Sequence, residues 1–320
     1  MRNFWNNLKK PFLVLAPMYD VTDFVFREII SEIAKPDVLF TEFVNTNAIC
    51  SSRKEKAAKD LLFSKKQRPI VAQIWGTNPD MFFKAAQEIS KMGFDGIDIN
   101  MGCPERSVVK NGSGAALIKN PNLAKELIKA TKEGAKNIPI SVKTRIGYSK
   151  IITEEWTSFL LEQNLNALTI HGRIANKSDG KTMWNEIKKV ASLRNKLSPR
   201  TIIIGNGDVK SYKEALGKYN GYKVDGVMIG RGILSNPWVF KKDDVVKHSK
   251  EDLINLLLKH TKLYEETWKN TKNFNALKKF FKVYVREFKG SNELRQELMK
   301  CQNYNQVVET IKELEGANLT

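Results

Sequence analysis

Cysteine and histidine are scarce in this 320-residue sequence, which contains only three of each. Cys50, Cys103 and Cys301 lie far apart and form no C-x-x-C pair, so a disulfide framework is excluded. The histidines lack ligand spacing, and we therefore predict no zinc or other bound metal. Few and scattered cysteines are typical of a protein from a reducing cytosol.

Long apolar runs are also missing. No segment approaches the ~18 apolar residues that cross a bilayer. Residues 1–17 place a short apolar run after charged residues, but that run contains a proline and no small-residue cleavage site follows it. We therefore predict a cytoplasmic protein without a membrane partner. The sequence leaves the oligomeric state open, and we expect a monomer.

Acidic residues are outnumbered by basic ones, 35 Asp and Glu against 53 Lys and Arg, for a net charge of +18 at pH 7. This excess carries no information about fold, but it favours an anionic partner. A nucleic acid is the first expectation and an anionic membrane surface is the second. A generally basic proteome would produce the same excess without either partner.

Short apolar, β-branched segments recur along the chain as far as residue 231. Most are continuous rather than alternating, which predicts strands buried on both faces. Segments with helical periodicity lie between them, and two of these, 78–93 and 120–134, begin with Asn-Pro and end in glycine. The eight predicted strands are 12–16, 38–43, 70–75, 96–100, 140–145, 167–172, 201–206 and 226–231.

Eight strands that alternate with helices predict an α/β protein, a (β/α)8 TIM barrel over residues 1–240. An open doubly wound sheet is the alternative, but it would need a G-x-G-x-x-G turn after the first strand, and none is present. The strand pattern then stops, and residues 241–320 predict a small helical-bundle domain. Within it, 252–269 and 274–289 each have the periodicity of an amphipathic helix.

Reactive groups of such barrels lie at the C-terminal ends of the strands. Two glycine-rich turns after the last two strands predict a phosphate site, because glycine lets backbone N–H groups approach phosphate oxygens closely. The residues of interest at the strand ends are Ala16, Pro17, Met18, Gln73, Asn100, Cys103, Lys143, Arg145, His171, Arg173, Asn206, Gly207, Asp208, Gly230 and Arg231.

Lys143 should point into the barrel mouth, where an ammonium group needs an anionic partner. A ligand with delocalised negative charge, such as the pyrimidine side of reduced flavin, would satisfy it. A salt bridge to Glu42 or Asp98 would satisfy it equally well. His171 is either a hydrogen-bonded structural residue or a contact to flavin or phosphate.

Cys103 stands between glycine and proline, ahead of a glycine-rich loop. No base lies near it in sequence, so the nucleophilic role, which needs a lowered pKa, has little support. A general acid must instead stay protonated at neutral pH, and an unassisted thiol does so. An inert buried cysteine is the remaining interpretation, which we assign to Cys50 and Cys301.

Six ordered motifs within residues 12–240 resemble those of the tRNA-dihydrouridine synthases. They are APMYDVTDFVFR, DINMGCP followed by VVKNGSGAAL, VKTRIG, LTIHGR, GNGDV and GVMIGRG. The family usually has a small residue and then glycine after APM, where this sequence has Tyr19 and Asp20. The C-terminal part is similar to the family's helical RNA-binding domain in position and character only.

The resemblance implies a flavin mononucleotide (FMN) in the barrel mouth, reduced by NADPH or NADH. The residues that would bind FMN are Ala16, Pro17 and Met18 along its ring, Gln73 and Lys143 at its polar edge, His171 against it, and Asn206, Gly207, Asp208, Gly230 and Arg231 at its phosphate.

The resemblance also implies the reaction. Reduced flavin would transfer a hydride to C6 of a tRNA uridine, and Cys103 would protonate C5 on the opposite face to give 5,6-dihydrouridine. The uridine must first leave its stack, as for other enzymes that act on a base. Asn100, Arg145 and Arg173 would contact this substrate.

Residues 269–289 hold seven Lys or Arg and one Glu. Lys278, Lys282 and Arg286 fall four residues apart, so on a helix they would share one face that contacts tRNA phosphates. A solvated face would show the same pattern. Two other functions stay open: an FMN-dependent oxidoreductase acting on a small pyrimidine such as dihydroorotate, and an RNA-binding protein with an inactive barrel.

Overall fold

A computed structural model describes residues 3–51, 54–177, 180–242, 248–269 and 271–317. Eight strands lie close to their predicted positions and alternate with helices. The strands are β1 (Phe12–Leu15), β2 (Leu39–Asn45), β3 (Ile70–Trp75), β4 (Gly96–Met101), β5 (Ile140–Arg145), β6 (Ala167–His171), β7 (Ile202–Asn206) and β8 (Gly226–Ile229).

Helices cover the strands and also form the C-terminal region. Those that accompany the strands are α1 (Phe24–Ile33), α2 (Thr46–Ile49), α3 (Lys54–Asp60), α4 (Pro79–Met92), α5 (Arg106–Lys110), α6 (Pro121–Ala135), α7 (Thr153–Leu161), α8 (Trp184–Leu197), α9 (Tyr212–Tyr222) and α10 (Gly232–Ser235). The C-terminal region contains α11 (Lys250–Trp268), α12 (Phe281–Tyr284), α13 (Ser291–Leu298) and α14 (Tyr304–Ala317). Short 3-10 turns occur at Phe4–Asn7, Lys65–Gln67, Gly114–Lys119, Phe274–Ala276 and Lys278–Phe280.

The sheet is parallel and closes on itself. Its strands pair in the order β1-β8-β7-β6-β5-β4-β3-β2. Closure occurs between β1 and the start of β2, where Val14 bridges Val38 and the Leu15 N–H donates to the Val38 carbonyl at 3.1 Å. The predicted TIM barrel is therefore confirmed, and the C-terminal ends of all eight strands meet at one rim.

Two apolar clusters stabilise the barrel. Alternate strand residues such as Val14, Phe40 and Met228 form an inner cluster, and Trp5, 1% exposed, fills its lower end. A larger cluster packs the outer faces of the strands against the helices. Side chains fill the barrel interior from the N-terminal ends of the strands, so space for a ligand is left at the C-terminal rim.

Local sequence explains where the covering helices begin. The Asn78 side chain accepts hydrogen bonds from two backbone N–H groups of α4, and Gly93 ends that helix in a left-handed conformation at φ +80°. The Asn120 side chain caps α6 by accepting one hydrogen bond, from the Leu123 N–H. Gly134 does not end α6, contrary to prediction. It lies inside that helix, where a Cβ would approach the Phe83 carbonyl oxygen to 2.2 Å, so it permits close packing on α4.

The C-terminal helices pack on α1 of the barrel. Ser249 starts α11 with a capping box to Asp252. The rings of Phe26 and Phe280 stack at 5.1 Å across this contact. Residues 243–247 lie outside the described residues, so a domain boundary at 240 stays a prediction. No helix of the described chain is both long and apolar enough to cross a membrane.

The prediction of one helix over 274–289 is wrong. The segment forms two 3-10 turns and the single-turn helix α12, and Val285 then leaves the helical conformation. One face of an amphipathic helix buries residues three or four apart. Here consecutive side chains are buried from Val283 to Val285, because the segment is surrounded by other elements.

Candidate active site at the barrel rim

A pocket of about 390 Å³ opens at the C-terminal rim of the barrel. All the predicted cofactor residues except Gln73 line it. Arg173, predicted to bind substrate, also lines it, as do five residues that sequence analysis missed: Val209, Lys210, Met228, Gly232 and Ser235. Val209, Met228 and Gly232 lie inside the two glycine-rich motifs and Lys210 directly follows the first of them, which was the available signal.

A second, larger groove of about 820 Å³ lies along α8 and α9. Among the described residues it shares Asp208 and Lys210 with the rim pocket, and it is lined mainly by exposed helix residues. We regard the smaller pocket as the candidate site, because it lies where the strand ends converge.

Two successive residues after β7 have positive φ, Gly207 at +134° and Asp208 at +50°. Such turns can orient backbone N–H groups toward an anion. The Trp184 indole N–H donates to the Gly207 carbonyl at 3.0 Å. A Cβ on Gly207 would come within 2.4 Å of the Thr182 hydroxyl, so this turn requires glycine.

The Asp208 carboxylate organises the surrounding cations. It accepts hydrogen bonds from the Arg173 guanidinium and from the hydroxyl and backbone N–H of Thr182, at 2.9 and 3.2 Å. Partial burial would raise the pKa of Asp208, but these hydrogen bonds outweigh it and lower the pKa to about 2. Arg231 lies 4.0 Å away with its side chain 76% exposed. This end of the pocket therefore offers exposed positive charge.

His171 is neutral in this setting. Burial, together with the charges of Lys143, Arg145 and Arg173, lowers its pKa to about 2. The Arg173 guanidinium lies 3.2 Å from His171 Nε2. A guanidinium only donates, so Nε2 must accept and the ring proton is assigned to Nδ1. His171 can thus offer one N–H to a ligand in the pocket.

Lys143 extends into the same pocket. Burial and the charge of Arg145 lower its pKa to about 8, and the charges of Asp98 and Cys103 oppose that shift. In the described part of the chain its ammonium forms no ion pair, with Glu42, Asp98 or any other carboxylate. The salt-bridge alternative therefore finds no support, and the lysine is available to an anionic ligand.

A buried hydrogen-bond network lies behind the pocket. The Ser141 hydroxyl and the Gln73 amide donate to Asp98 at 2.6 and 2.7 Å. The Asn100 amide donates to the Gln73 side-chain oxygen at 3.0 Å. Burial raises the pKa of Asp98 to about 6, against the effect of these hydrogen bonds. Gln73 does not line the pocket, because its amide is engaged by Asp98 and Asn100.

The loop of Cys103 is fixed from three sides. The Asn100 side-chain oxygen accepts from the N–H groups of Gly102 and Cys103 at 3.1 and 2.9 Å. Arg145 Nε donates to the Gly102 carbonyl at 2.7 Å. Gly114, at φ +58°, lets the following turn approach, since a Cβ there would lie 2.7 Å from the Cys103 carbonyl oxygen. Arg145, predicted to contact substrate, is only 7% exposed and holds this loop.

Burial raises the pKa of the Cys103 thiol above its ordinary value, and the nearby charges of Lys143 and Arg145 counteract this only in part. The thiol is therefore protonated at neutral pH, which is the state that a general acid requires. Among the described residues, no group of three or more His, Cys, Asp or Glu side chains is arranged to hold a metal ion.

Of the three predicted RNA-binding cations of the helical region, Lys278 and Lys282 line one surface pocket, and Arg286 does not line it. Lys278 is 7% exposed and donates to the Met299 carbonyl at 2.8 Å. Lys282 is exposed. Arg286 donates to the Ser235 carbonyl in α10. The end of α12 before Val285 separates Arg286 from the other two, because only a continuous helix would align residues four apart.

Comparisons with known proteins identify the family of the chain. A sequence model of the family described as Dihydrouridine synthase (Dus) matches residues 14–318. The probable tRNA-dihydrouridine synthase of Staphylococcus aureus (strain COL) is 42% identical over 318 residues, 98% of this chain and 96% of that protein. The probable tRNA-dihydrouridine synthase 2 of Bacillus subtilis (strain 168) is 42% identical over 309 residues, 95% and 94% of the two chains.

Solved structures share the fold at low sequence identity. The old yellow enzyme from Trypanosoma cruzi has a TM-score of 0.54 and 12% identity, covering 81% of this chain and 94% of that one. A 2-naphthoyl-CoA reductase complex has a TM-score of 0.57 and 11% identity, covering 74% and 52%. The family match runs past the barrel and through the helical region. The resemblance seen in the motifs is confirmed: this chain belongs to the dihydrouridine synthase family.

Proposed function

We propose that this protein is a flavin-dependent tRNA-dihydrouridine synthase, which reduces the C5–C6 bond of a tRNA uridine. The relatives bearing that name align along nearly the whole chain. The observation that carries the proposal is the loop of Cys103, held by Asn100 and Arg145 at the end of β4, on the same barrel rim as a pocket with an anion-binding end. A free pyrimidine is not favoured as substrate, because the family match includes the helical region.

The rim pocket fits FMN. Ala16, Pro17 and Met18 offer an apolar wall, and Gly230 lines the pocket next to it. Lys143 suits the electron-rich edge of the ring. The residues that would hold the phosphate are Arg173, Gly207, Lys210 and Arg231. When bound, the flavin supplies the hydride, which it takes from NADPH or NADH.

The protein's own contribution is to place a base and a proton. Addition of hydride at C6 of uracil develops negative charge at C5 and at the C4 carbonyl. Cys103 donates its proton to C5 from the opposite face. Its raised pKa keeps that proton on the sulfur until the charge develops, and a positioned acid contributes roughly 10²–10⁴ in rate. Asn100 and Arg145 keep the thiol in position through the backbone of its loop.

Recognition of tRNA rests on charge and on the helical region. With a net charge of +18, the chain attracts the phosphate backbone. Of the three predicted cations, Lys282 is the one whose exposure suits a direct phosphate contact. Lys278 and Arg286 instead stabilise the packing of this region, because each donates a hydrogen bond to a backbone carbonyl of another segment. We place the protein, as a monomer, in the cytoplasm with its substrate.

The test is reduction of an unmodified tRNA transcript by purified protein and NADPH, with dihydrouridine mapped by mass spectrometry. Cys103→Ala should retain flavin and tRNA binding and lose roughly 10²–10⁴ in rate. Cys50→Ala is the matched control, since Cys50 lies at the end of α2, and it should react like the wild type. A Cys103→Ala enzyme that reduces tRNA at the wild-type rate would remove the thiol from the mechanism.

A further inference from the structure

Tyr19 is an exposed aromatic residue at the edge of the active site. It is 65% exposed and directly follows Met18, which lines the rim pocket. Its ring lies 5.5 Å from that of Phe43, and Phe43 meets Trp75 edge-on at 6.3 Å. These three residues, Tyr19, Phe43 and Trp75, form what we call the rim aromatic shelf.

The loop that presents Tyr19 is held at several points. The Met18 N–H donates to the Thr22 hydroxyl at 2.9 Å, and the Thr22 N–H donates to the Met18 carbonyl at 3.0 Å. The Asp20 N–H donates to the buried Glu42 carboxylate. The Asp20 carboxylate pairs with Lys279 of the helical region. The exposure of Tyr19 is therefore built into the fold, and ordering its loop adds little cost to binding.

Strand geometry places the shelf next to the buried hydrogen-bond network of Gln73 and Asn100. The pairing of β2 with β3 shifts between Phe40 and Phe43, so Phe43 stands opposite Gln73. Trp75 is two residues beyond Gln73 and shares its face of the strand. Gln73 binds Asn100, which holds the loop of Cys103. The shelf thus runs along the rim from the flavin side at β1 toward the Cys103 side at β4.

We propose that the rim aromatic shelf binds the nucleobase adjacent in the tRNA to the reactive uridine, which stacks on the ring of Tyr19. This inference rests on the proposed function. A uridine that leaves its stack exposes the face of its neighbour, and an aromatic ring can cover that face without reading its identity. The charged groups that act on Tyr19 are the carboxylates of Asp60, Glu42 and Asp20, and Asp20 is paired with Lys279, so the shelf is suited to a base rather than to a phosphate.

The experiment measures the dissociation constant of the flavin-loaded protein for an unmodified tRNA transcript over a series of salt concentrations. Tyr19→Ala and Tyr19→Leu should weaken binding by about 5- to 150-fold, the range for one stacked base, while Tyr19→Phe stays within about twofold. The salt slope should not change, because no phosphate contact is lost. Leu197→Ala, which removes another exposed apolar side chain, is the control.

Each other outcome has a distinct meaning. If Tyr19→Ala and Tyr19→Leu bind tRNA like the wild type, the shelf does not bind a base. If Tyr19→Leu binds normally and only Tyr19→Ala fails, apolar bulk suffices and stacking is refuted. A shallower salt slope in the variants would reassign the site to a phosphate. If the wild-type protein forms no dihydrouridine, the proposed function itself fails, whatever the Tyr19 variants do.

Discussion

The glycine-rich loop near Cys103 allows the position of the thiol to be tested separately from its presence. Gly114 has φ +58°, and a Cβ there would lie 2.7 Å from the Cys103 carbonyl oxygen and 2.8 Å from a Val108 methyl group. Gly112 has φ +75°, but its Cβ would meet only a Thr77 methyl, at 3.5 Å. Gly114→Ala and Gly112→Ala both force an L-residue into the left-handed conformation, which costs free energy. Only Gly114→Ala also brings a Cβ too close to the Cys103 carbonyl oxygen.

The magnitudes follow from these distances. A left-handed conformation costs an L-residue roughly 1–2 kcal/mol, so Gly112→Ala should lower the free energy of unfolding by about that amount. Gly114→Ala adds an overpacked contact, roughly another 1–3 kcal/mol, unless the Cys103 backbone moves to relieve it. A displacement of about 1 Å at a reacting group can cost 10²-fold in rate. We expect tRNA reduction to slow roughly 10- to 100-fold in Gly114→Ala and to stay near wild type in Gly112→Ala.

The assay separates two steps. Reduction of the bound flavin by NADPH does not involve Cys103 and should be similar in both variants. It is measured as the loss of flavin absorbance. Single-turnover reoxidation of the reduced protein by tRNA, without oxygen, should be slow in Gly114→Ala alone. Urea unfolding supplies the stability difference. Equal single-turnover rates in the two variants would show that the packing of Gly114 on the Cys103 loop does not set the rate.

Three further predictions concern protonation and charge. Single-turnover reduction of tRNA should show no loss at or below neutral pH and should slow only at alkaline pH, since the acid must be protonated and burial raises the pKa of Cys103 above its ordinary value; a fall centred near pH 7 would contradict this. Lys143→Met should weaken flavin binding in a fluorescence titration and lower the reduction potential of the flavin, because it removes a cation that lines the pocket; unchanged values would reject that role. Lys282→Ala should flatten the salt dependence of tRNA binding by about one unit of slope, whereas Arg286→Ala should lower the melting temperature, since only Arg286 bonds to α10; the reverse pattern would refute both assignments.

Much of the fold and of the pocket could be predicted because the signals are local. Continuous apolar runs mark buried strands, and a parallel barrel brings all their C-terminal ends to one rim. Strand-end residues such as Met18, Lys143 and Arg231 therefore fall into one pocket, although they are distant in sequence. The unusual setting of Cys103 was visible in the same way.

The partners of the polar side chains were not predictable. Gln73 and Arg145 were assigned to ligands on the family resemblance. In the structure Gln73 bonds to Asp98 and Arg145 to the Gly102 carbonyl. An amide or a guanidinium suits a ligand and a neighbouring acceptor equally well, and only packing decides which one is within reach.

The segment 274–289 shows the same division most plainly. Its sequence determines that it is basic and that apolar residues recur at helical spacing. Tertiary structure decides that it is not a helix, since its neighbours bury consecutive side chains and draw Lys278 and Arg286 to backbone carbonyls. Sequence by itself determined the eight strands, the rim and the thiol, because strand patterns and barrel topology need no knowledge of distant contacts. Only the tertiary structure decided which polar groups face a ligand and which stabilise the protein, because their partners are distant in sequence. Hydrogen bonds between such residues produce no periodic pattern in the sequence.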